Sequence, residues 1–190
     1  TIEKSGDIEG LPSYQQGLFY VQDIASQLCC HALSPDEGDT VLDVCAAPGG
    51  KTFTMAELMN NGGKIFAFDI HEHRVKLIRN GAKRLGITNI SAETGNAAVY
   101  NEKMPMADKI LCDVPCSGLG VIRRKPEIKY KNYEEFERLP EIQYRILETA
   151  ASYLKKGGEL VYSTCTVNPA ENGQVIDRFL NEHRNFEGIT

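Results

Sequence analysis

The sequence predicts an α/β domain in which helices cover both faces of a mostly parallel sheet. Short apolar runs, such as "TVLDV", "KIFAFDI" and "DKILCDV", alternate with helical patterns along the chain. This alternation is typical of parallel sheets, whose strands are buried on both sides. Glycine, aspartate or cysteine follows several of these runs, at the end where such sheets bind ligands. We therefore expect one Rossmann-like domain over 1–190, with a helical lead-in at 1–38 and the core at 39–190.

The same patterns predict the individual elements in order. The strands are expected at 40–44, 64–70, 89–94, 108–114 and 157–164. The helices are expected at 22–33, 51–59, 73–86, 133–155 and 168–183. Gly86 is suited to cap the third helix, and Asn168 with Pro169 to begin the last. The long fourth helix presents one apolar face, formed by Leu139, Ile142, Ile146, Ala150 and Tyr153.

Composition and charge restrict the class of protein. The 190 residues are 42% hydrophobic and 25% charged, which suits one globular domain with a full core. No apolar run is long enough to cross a membrane and no signal peptide opens the chain, so we expect a cytosolic protein. We also expect a monomer. The net charge of −5 argues weakly against nucleic acid as a partner. A local exception is "RRKPEIKYK", residues 123–131, which is either a solvated loop or a contact for phosphates.

Six cysteines could bind metal, pack in the core or take part in chemistry. They stand at positions 29, 30, 45, 112, 116 and 165, and none forms a CxxC pair. The four histidines, at 31, 71, 73 and 183, have no metal-like spacing to a thiol or carboxylate. We therefore predict no metal site. Cys29 and Cys30 fall in the first predicted helix and are expected in the core.

The loop "APGGKT", residues 47–52, ends like a phosphate-binding loop but does not match one. Cys45 occupies the position of the first glycine of that motif, and Pro48 has no N–H to donate to a phosphate. What remains is a glycine turn after the first strand, with Asp69 at the end of the second strand to bind ribose hydroxyls. A ligand with a ribose and no phosphate fits this combination. It favours S-adenosylmethionine, and hence a methyltransferase.

Two cysteines and an aspartate are expected to converge beside that loop. Asp113 and Cys116 follow the fourth strand, and Cys165 follows the fifth. A thiolate that adds to carbon 6 of a cytosine makes carbon 5 nucleophilic enough to accept a methyl group. A carboxyl group near ring N3 would stabilise the adduct. From the residues alone, either Cys116 or Cys165 could be the attacking thiol.

Three motifs in order resemble those of a known family. "DVCAAPGGKT", "DVPCSG" and "YSTCTVNPAEN" are similar to motifs I, IV and VI of the RNA cytosine-5 methyltransferases of the Sun and nucleolar-protein family. "GVIRRKPEIKY" most resembles the bacterial members that modify 16S ribosomal RNA, and "YVQDIASQL" resembles the segment before motif I. The resemblance runs from Gly17 to Phe186. It implies the fold, S-adenosylmethionine as the cofactor and RNA as the substrate.

The resemblance also implies roles for individual residues. It makes Cys165 the nucleophile and gives Cys116 a part in product release, with Asp113 between cofactor and base and Lys51 orienting the cytosine. The implied cofactor-binding residues are Cys45, Ala46, Ala47, Pro48, Gly49, Gly50, Lys51, Asp69, Asn96 and Asp113. The residues expected to contact RNA are Arg123, Arg124, Lys125 and Lys129 at phosphates, and Tyr130 by stacking on a base.

The sequence departs from the family in two places. Asn96 stands where the family usually has an aspartate, so the contact with adenine loses its charge. Closing strands after the last helix and a preceding RNA-binding module are not expected within these 190 residues, so weak RNA binding and poor turnover are expected of the chain alone. Two alternatives stay open: an RNA-binding or ribosome-assembly factor without catalysis, and a DNA cytosine-5 methyltransferase, against which the Thr-Cys motif speaks.

Overall fold

A computed structural model describes residues 6–189, so residues 1–5 and 190 of the predicted domain lie outside it. In this part of the chain five strands form one sheet in the order β3-β2-β1-β4-β5, and every neighbouring pair is parallel. The strands are β1 Thr40–Asp43, β2 Lys64–Asp69, β3 Ile90–Thr94, β4 Ala107–Asp113 and β5 Leu154–Ser163. The predicted parallel α/β architecture is confirmed.

Helices connect and flank these strands. They are α1 Pro12–Gln15, α2 Ile24–Leu33, α3 Gly50–Leu58, α4 Glu72–Leu85, α5 Tyr133–Glu137, α6 Leu139–Ala151 and α7 Gly173–Glu182. Three short 3-10 helices cover Leu119–Val121, Pro126–Tyr130 and Pro169–Glu171. Between residues 6 and 189 none of the helices has the length and apolarity that crossing a membrane requires.

The core lies on both sides of the sheet because successive side chains of a strand point to opposite faces. Val41 of β1 packs with Cys30 of α2 and Met55 of α3. The next residue, Leu42, belongs to the cluster on the other face, which contains Ile146 of α6. Helices α2 and α3 therefore cover one face and α6 the other, as predicted.

The predicted helix at 133–155 is wrong in its length and continuity. It is divided at Arg138 into α5 and α6. Pro140 has no N–H to donate to the carbonyl four residues earlier, which explains the interruption of the hydrogen-bond ladder. On the predicted apolar face, Ile142 is 42% exposed, whereas Ile146 and Ala150 are buried. The helix also ends before Tyr153, and β5 begins at Leu154 instead of 157.

The predicted last helix is also divided. Asn168 caps a 3-10 turn by accepting a hydrogen bond from the N–H of Ala170, so the predicted cap is confirmed. Asn172, with φ −122° and ψ −103°, then breaks the helical path before α7 begins at Gly173. The break turns Glu171 into the protein, where it is fully buried.

Candidate active site

The predicted catalytic and cofactor-binding residues lie at or after the carboxyl ends of β1, β2, β4 and β5, except Asn96, which follows β3. Strands β4 and β5 are neighbours, and Asp113 at the end of β4 is in register with Ser163 at the end of β5. The loops that carry Cys116 and Cys165 therefore start side by side. Strand β1 lies on the other side of β4 and brings the glycine loop to the same edge.

The glycine loop depends on Gly49 for its shape. Gly49 has φ +109° and is the N-cap of α3. A Cβ atom there would lie 2.6 Å from the ring of Phe53, so a larger residue would meet both backbone strain and a clash. Ala46 and Ala47 are buried, whereas Pro48 is exposed at the tip of the loop. The loop thus presents backbone at the edge of the sheet, as a close approach to a ligand requires.

Asp69 ends β2 beside this loop, and Arg74 covers it. A guanidinium nitrogen of Arg74 lies 2.9 Å from Oδ2 of Asp69, and Oδ1 accepts the N–H of His71. Arg74 also donates to the carbonyl of Ala47, at 2.7 Å. Asp69 is only 3% exposed, and the Arg74 side chain that covers it is half-exposed. Arg74 was not among the residues predicted from the sequence.

Lys51 and Asp113 form an ion pair between the glycine loop and the end of β4. Nζ of Lys51 lies 2.7 Å from Oδ2 of Asp113, and the hydroxyl of Ser163 donates to Oδ1 at 2.8 Å. Burial lowers the pKa of Lys51, but the charge and hydrogen bond of Asp113 outweigh burial and leave that pKa raised. Lys51 is therefore a cation that orients one carboxylate oxygen while Ser163 orients the other.

A further acid, Asp43, and a further thiol, Cys45, lie at the end of β1 and the start of the glycine loop. Asp43 is 1% exposed, and burial raises its pKa to about 7 although the Thr52 hydroxyl donates to Oδ2. Its Oδ1 atom has no hydrogen-bond partner among the described residues. Burial, with the charges of Asp43 and Asp69, raises the pKa of Cys45 to about 12. Cys45 therefore stays a neutral thiol, which suits a wall of a binding site and not a nucleophile.

Cys116 and Cys165 are in direct contact. Their sulfur atoms lie 3.1 Å apart, and the N–H of Cys165 points to the sulfur of Cys116 at 3.3 Å. The hydrogen bond from the Cys116 thiol lowers the pKa of Cys165 to about 6, with a smaller contribution from Lys125. The same bond and burial raise the pKa of Cys116 well above the usual value for a thiol. Cys165 is exposed and Cys116 half-buried, so the accessible sulfur is also the ionised one.

The other cysteines and the histidines take no part in this cluster. Cys30 and Cys112 are buried, as expected of core residues, but Cys29 is only half-buried, which corrects its predicted place in the core. Its neighbour Cys30 occupies the inward position on α2. Within residues 6–189 no group of three histidine, cysteine or acidic side chains could hold a metal ion.

The basic segment 123–131 lies at the surface near the thiols. Arg123, Lys125 and Lys129 are exposed, and Tyr130 is 89% exposed. Arg124 differs because it forms an ion pair with Asp23, the N-cap residue of α2. All five predicted RNA contacts are thus presented to solvent, and Arg124 in addition joins the segment to the helical lead-in.

Asn96 follows β3 and borders a cavity of about 600 Å³. Phe68, Tyr100 and Tyr153 also line this cavity, whereas Cys116, Cys165 and the glycine loop do not. The side-chain oxygen of Asn96 accepts the N–H of Ala98 at 3.0 Å. Asn96 is exposed, and β3, which it follows, is the neighbour of β2, the strand that ends at Asp69. This cavity is therefore beside the site and not over the thiols.

The chain is similar to proteins of one known family. A family model described as 16S rRNA methyltransferase RsmB/F matches residues 30–190. The chain is 50% identical over 185 residues to the probable ribosomal RNA small subunit methyltransferase B of Bacillus subtilis, covering 96% of this chain and 41% of that protein. The chain thus spans less than half the length of this relative.

Solved structures show the same fold. The crystal structure of PH0851 superposes with a TM-score of 0.91 at 37% identity, over 94% of this chain and 41% of that one. NSun6 from Pyrococcus horikoshii superposes with a TM-score of 0.86 at 33% identity, over 94% of this chain and 46% of that one. The NSun6 structure contains SFG, an analogue of S-adenosylmethionine.

Proposed function

The chain belongs to the family of the 16S rRNA methyltransferases RsmB/F, with S-adenosylmethionine as its cofactor, and we propose that it methylates carbon 5 of a cytosine in 16S ribosomal RNA. The observation that carries the cytosine-5 reaction is the contact of Cys165 with Cys116 beside the Lys51–Asp113 pair. An accessible thiolate can add to a pyrimidine ring, and an oriented carboxylate beside it can hold the ring in place. Ribosomal RNA as the substrate also implies a cytoplasmic protein.

The residues at the sheet edge fit S-adenosylmethionine. The loop around Gly49 presents backbone where the cofactor would lie, and Asp69 is placed to bind the ribose hydroxyls. Asp43 has a buried oxygen without a partner directly behind the loop, which can accept a hydrogen bond from a donor brought by the ligand. When bound, the cofactor supplies the electrophilic methyl group that carbon 5 of the activated ring accepts.

Cys165 is the proposed nucleophile. Its thiolate forms a bond to carbon 6 of the cytosine, and the electron pair of the ring double bond moves toward carbon 5. Asp113, held by Lys51 and Ser163, would lie near N3 and the exocyclic amine, where its carboxylate would accept a hydrogen bond from the amine and orient the ring. The negative charge that develops on the ring would be stabilised by the ammonium group of Lys51. The exposed position of Cys165 suits an RNA base turned out of its stack.

Cys116 is proposed to act in the release of the product. In the free protein its proton is held by the Cys165 thiolate. Once Cys165 has become a thioether, that charge is gone, and Cys116 can lose its proton to solvent and then accept the proton of carbon 5. The electron pair of the broken C–H bond restores the ring double bond and expels the Cys165 thiolate, so the step balances.

Two alanine variants of the whole protein test these roles with labelled cofactor and 16S RNA fragments. Cys165→Ala is expected to abolish methyl transfer, since no other described thiol is both exposed and ionised. Cys116→Ala is expected to accumulate a covalent protein–RNA adduct that survives denaturation. An adduct in Cys165→Ala would instead make Cys116 the nucleophile. No transfer by the wild-type protein would favour a role in RNA binding or ribosome assembly.

A further inference from the structure

We infer that Glu171 is a positioning residue that holds the two thiols of the active site in contact, an inference that rests on the proposed role of Cys165. Glu171 is fully buried, and the hydrogen bonds that its carboxylate accepts come from Ser117, Gln143, Thr166 and Asn168 and not from either thiol. It lies behind them, at the end of the 3-10 turn Pro169–Glu171, where the predicted last helix is broken. Its effect must pass through the residues that follow each cysteine.

Glu171 gathers hydrogen-bond donors from both cysteine loops. The N–H of Ser117 donates to Oε2 at 2.8 Å, and the Ser117 hydroxyl donates to Oε1 at 2.6 Å. Asn168 donates its amide to Oε1 at 3.1 Å. These bonds lower the pKa of Glu171 although burial alone would raise it, so the group is a carboxylate. A buried anion with this many donors fixes its neighbours because an unpaired charge would be costly.

The network reaches each thiol through one adjacent residue. Ser117 follows Cys116, and Thr166 follows Cys165. The two hydroxyls lie 2.8 Å apart, so the loops are joined directly beside the sulfur atoms. The carbonyl of Cys165 also accepts the N–H of Gly120, at 3.0 Å.

Gln143 links Glu171 to the other side of Cys116, through the residue that precedes this cysteine. Gln143 of α6 is completely buried, and its amide nitrogen donates both to Oε2 of Glu171, at 3.0 Å, and to the carbonyl of Pro115, at 2.9 Å. Cys116 is thus held through the residue before it and the residue after it, and both contacts lead to Glu171. The network does not bind the substrate; it sets the distance across which one thiol donates to the other.

The consequence is chemical, because the ionisation of Cys165 depends on that distance. The Cys116 thiol stabilises the Cys165 thiolate only while the sulfur atoms stay in hydrogen-bond contact. In Glu171→Gln, an amide group faces donors from Ser117 and Gln143, so at least one of these bonds is lost. The loops then separate, and Cys165 loses the donor that keeps it ionised near neutral pH.

The test is the pH dependence of Cys165 alkylation by iodoacetamide, followed by peptide mass spectrometry on the folded protein. Glu171→Gln is expected to move the midpoint of alkylation up by about one pH unit or more. The milder Ser117→Ala, which removes the hydroxyl between Glu171 and Thr166, should move it in the same direction. Methyl transfer should lose kcat in both variants, with the KM for the cofactor little changed.

The matched control is Glu182→Gln. Glu182 on α7 accepts the Tyr144 hydroxyl and pairs with Arg178, so its loss also lowers stability, but it has no contact with either cysteine loop. An alkylation midpoint that stays at the wild-type pH in both Glu171→Gln and Ser117→Ala would overturn the inference. This readout needs no methyl transfer. Failure of the proposed function would therefore be seen separately, as a wild-type protein that transfers no methyl group although the alkylation midpoint of Cys165 is lowered and shifts in the variants as expected.

Discussion

Nζ of Lys51 lies 2.7 Å from Oδ2 of Asp113, and this ion pair joins the first turn of α3 to the carboxyl end of β4. The two residues are 62 positions apart in the chain. Lys51 is the residue that a phosphate-binding loop would use as its clamp, yet here its ammonium group is directed at a carboxylate. The loop therefore serves the site beside it and not a triphosphate.

Replacing Lys51 by methionine should lower kcat by about 100-fold or more, because removing one preorganised group that stabilises developing charge costs roughly 3 kcal/mol in the transition state. Asp113 would keep its bond from Ser163 but lose its fixed orientation. Single-turnover methyl transfer measures the effect. The control is Lys155→Met, which breaks a Lys–Asp pair of similar length, 2.8 Å, at Asp108 near the opposite end of β4. Equal losses of kcat in the two variants would show that Lys51 has no specific role in the active site.

Cys165 should react with iodoacetamide with a midpoint near pH 6, well below the usual range of a thiol. Below the midpoint the group is a thiol and unreactive; above it the group is a thiolate. Cys116→Ala removes the donated hydrogen bond, so the midpoint should rise toward 9, the ordinary value.

Cys45 is the internal control for this titration. Its pKa is raised to about 12, so it should stay unmodified across the same pH range. A wild-type midpoint for Cys165 near that of a free thiol would contradict the stabilising role of the Cys116 contact.

Asp69→Asn should raise the KM for S-adenosylmethionine by about 10- to 100-fold, which corresponds to the roughly 1.5–3 kcal/mol of a hydrogen bond to a charged group. The kcat at saturating cofactor should change little, since Asp69 lies away from the thiols. Asp108→Asn, at the start of β4, is the control and should leave this KM unchanged. An unaltered KM in Asp69→Asn would mean that Arg74 keeps Asp69 covered when the cofactor binds.

Sequence patterns located the strands well because each is an apolar run between clear breaks. The observed starts of β1 and β2, at Thr40 and Lys64, are those predicted, and the other starts differ by one to three residues. The helix predicted over 133–155 was wrong because apolar spacing continues across Pro140, while the hydrogen-bond ladder does not. Strand β5 was predicted too short because the helix predicted over 133–155 covered its first residues; Gly157 lies inside the strand with φ +79°.

The site was predictable to the extent that it lies at strand ends. Cys116 and Cys165 follow neighbouring strands, so their contact could be anticipated from topology. Glu171 was overlooked although it stands in the quoted motif "NPAEN", because a lone glutamate is usually exposed. Its burial depends on donors from Ser117 and Gln143, which are 54 and 28 residues away, and no local pattern reports such partners.

Asp43→Asn should stabilise the protein more at high pH than at low pH. Burial raises the folded-state pKa of Asp43 from 3.8 to about 7, so folding favours the protonated form. The stability that this group contributes is complete below pH 3.8 and is lost as pH rises through about 7. Asparagine avoids that loss, which amounts to at most about 4 kcal/mol for a shift of roughly three pKa units.

The measurement for Asp43→Asn is its Tm relative to wild type at about pH 5 and about pH 8. The difference between variant and wild type should become more positive at the higher pH. Asp177→Asn, at an exposed position of α7, is the matched control for the substitution itself. A difference for Asp43→Asn that stays constant between the two pH values would show that the buried Asp43 carboxylate does not lower stability in the folded protein.

The basic segment offers a separate test of RNA binding that does not depend on catalysis. Arg123→Ala and Lys129→Ala should each weaken binding of a 16S RNA fragment and lower the slope of log K against log salt by about 0.7 to 1, since each side chain is exposed and can neutralise one phosphate. Tyr130→Ala should instead weaken binding by roughly 1–3 kcal/mol without changing the slope, because stacking releases no counterion.

Arg124 should behave differently from its neighbours. It pairs with Asp23, the cap of α2, so Arg124→Ala should lower Tm more than Arg123→Ala does and should change the salt slope less. Lys64→Ala, at the amino end of β2 on the opposite edge of the sheet, is the control for charge and should leave RNA binding unchanged. If Lys64→Ala and Arg123→Ala reduced affinity equally, binding would follow overall charge, and the segment 123–131 would not be the RNA contact. We do not expect that outcome, because the chain has a net charge of −5 and only a local cluster of cations can then attract phosphates.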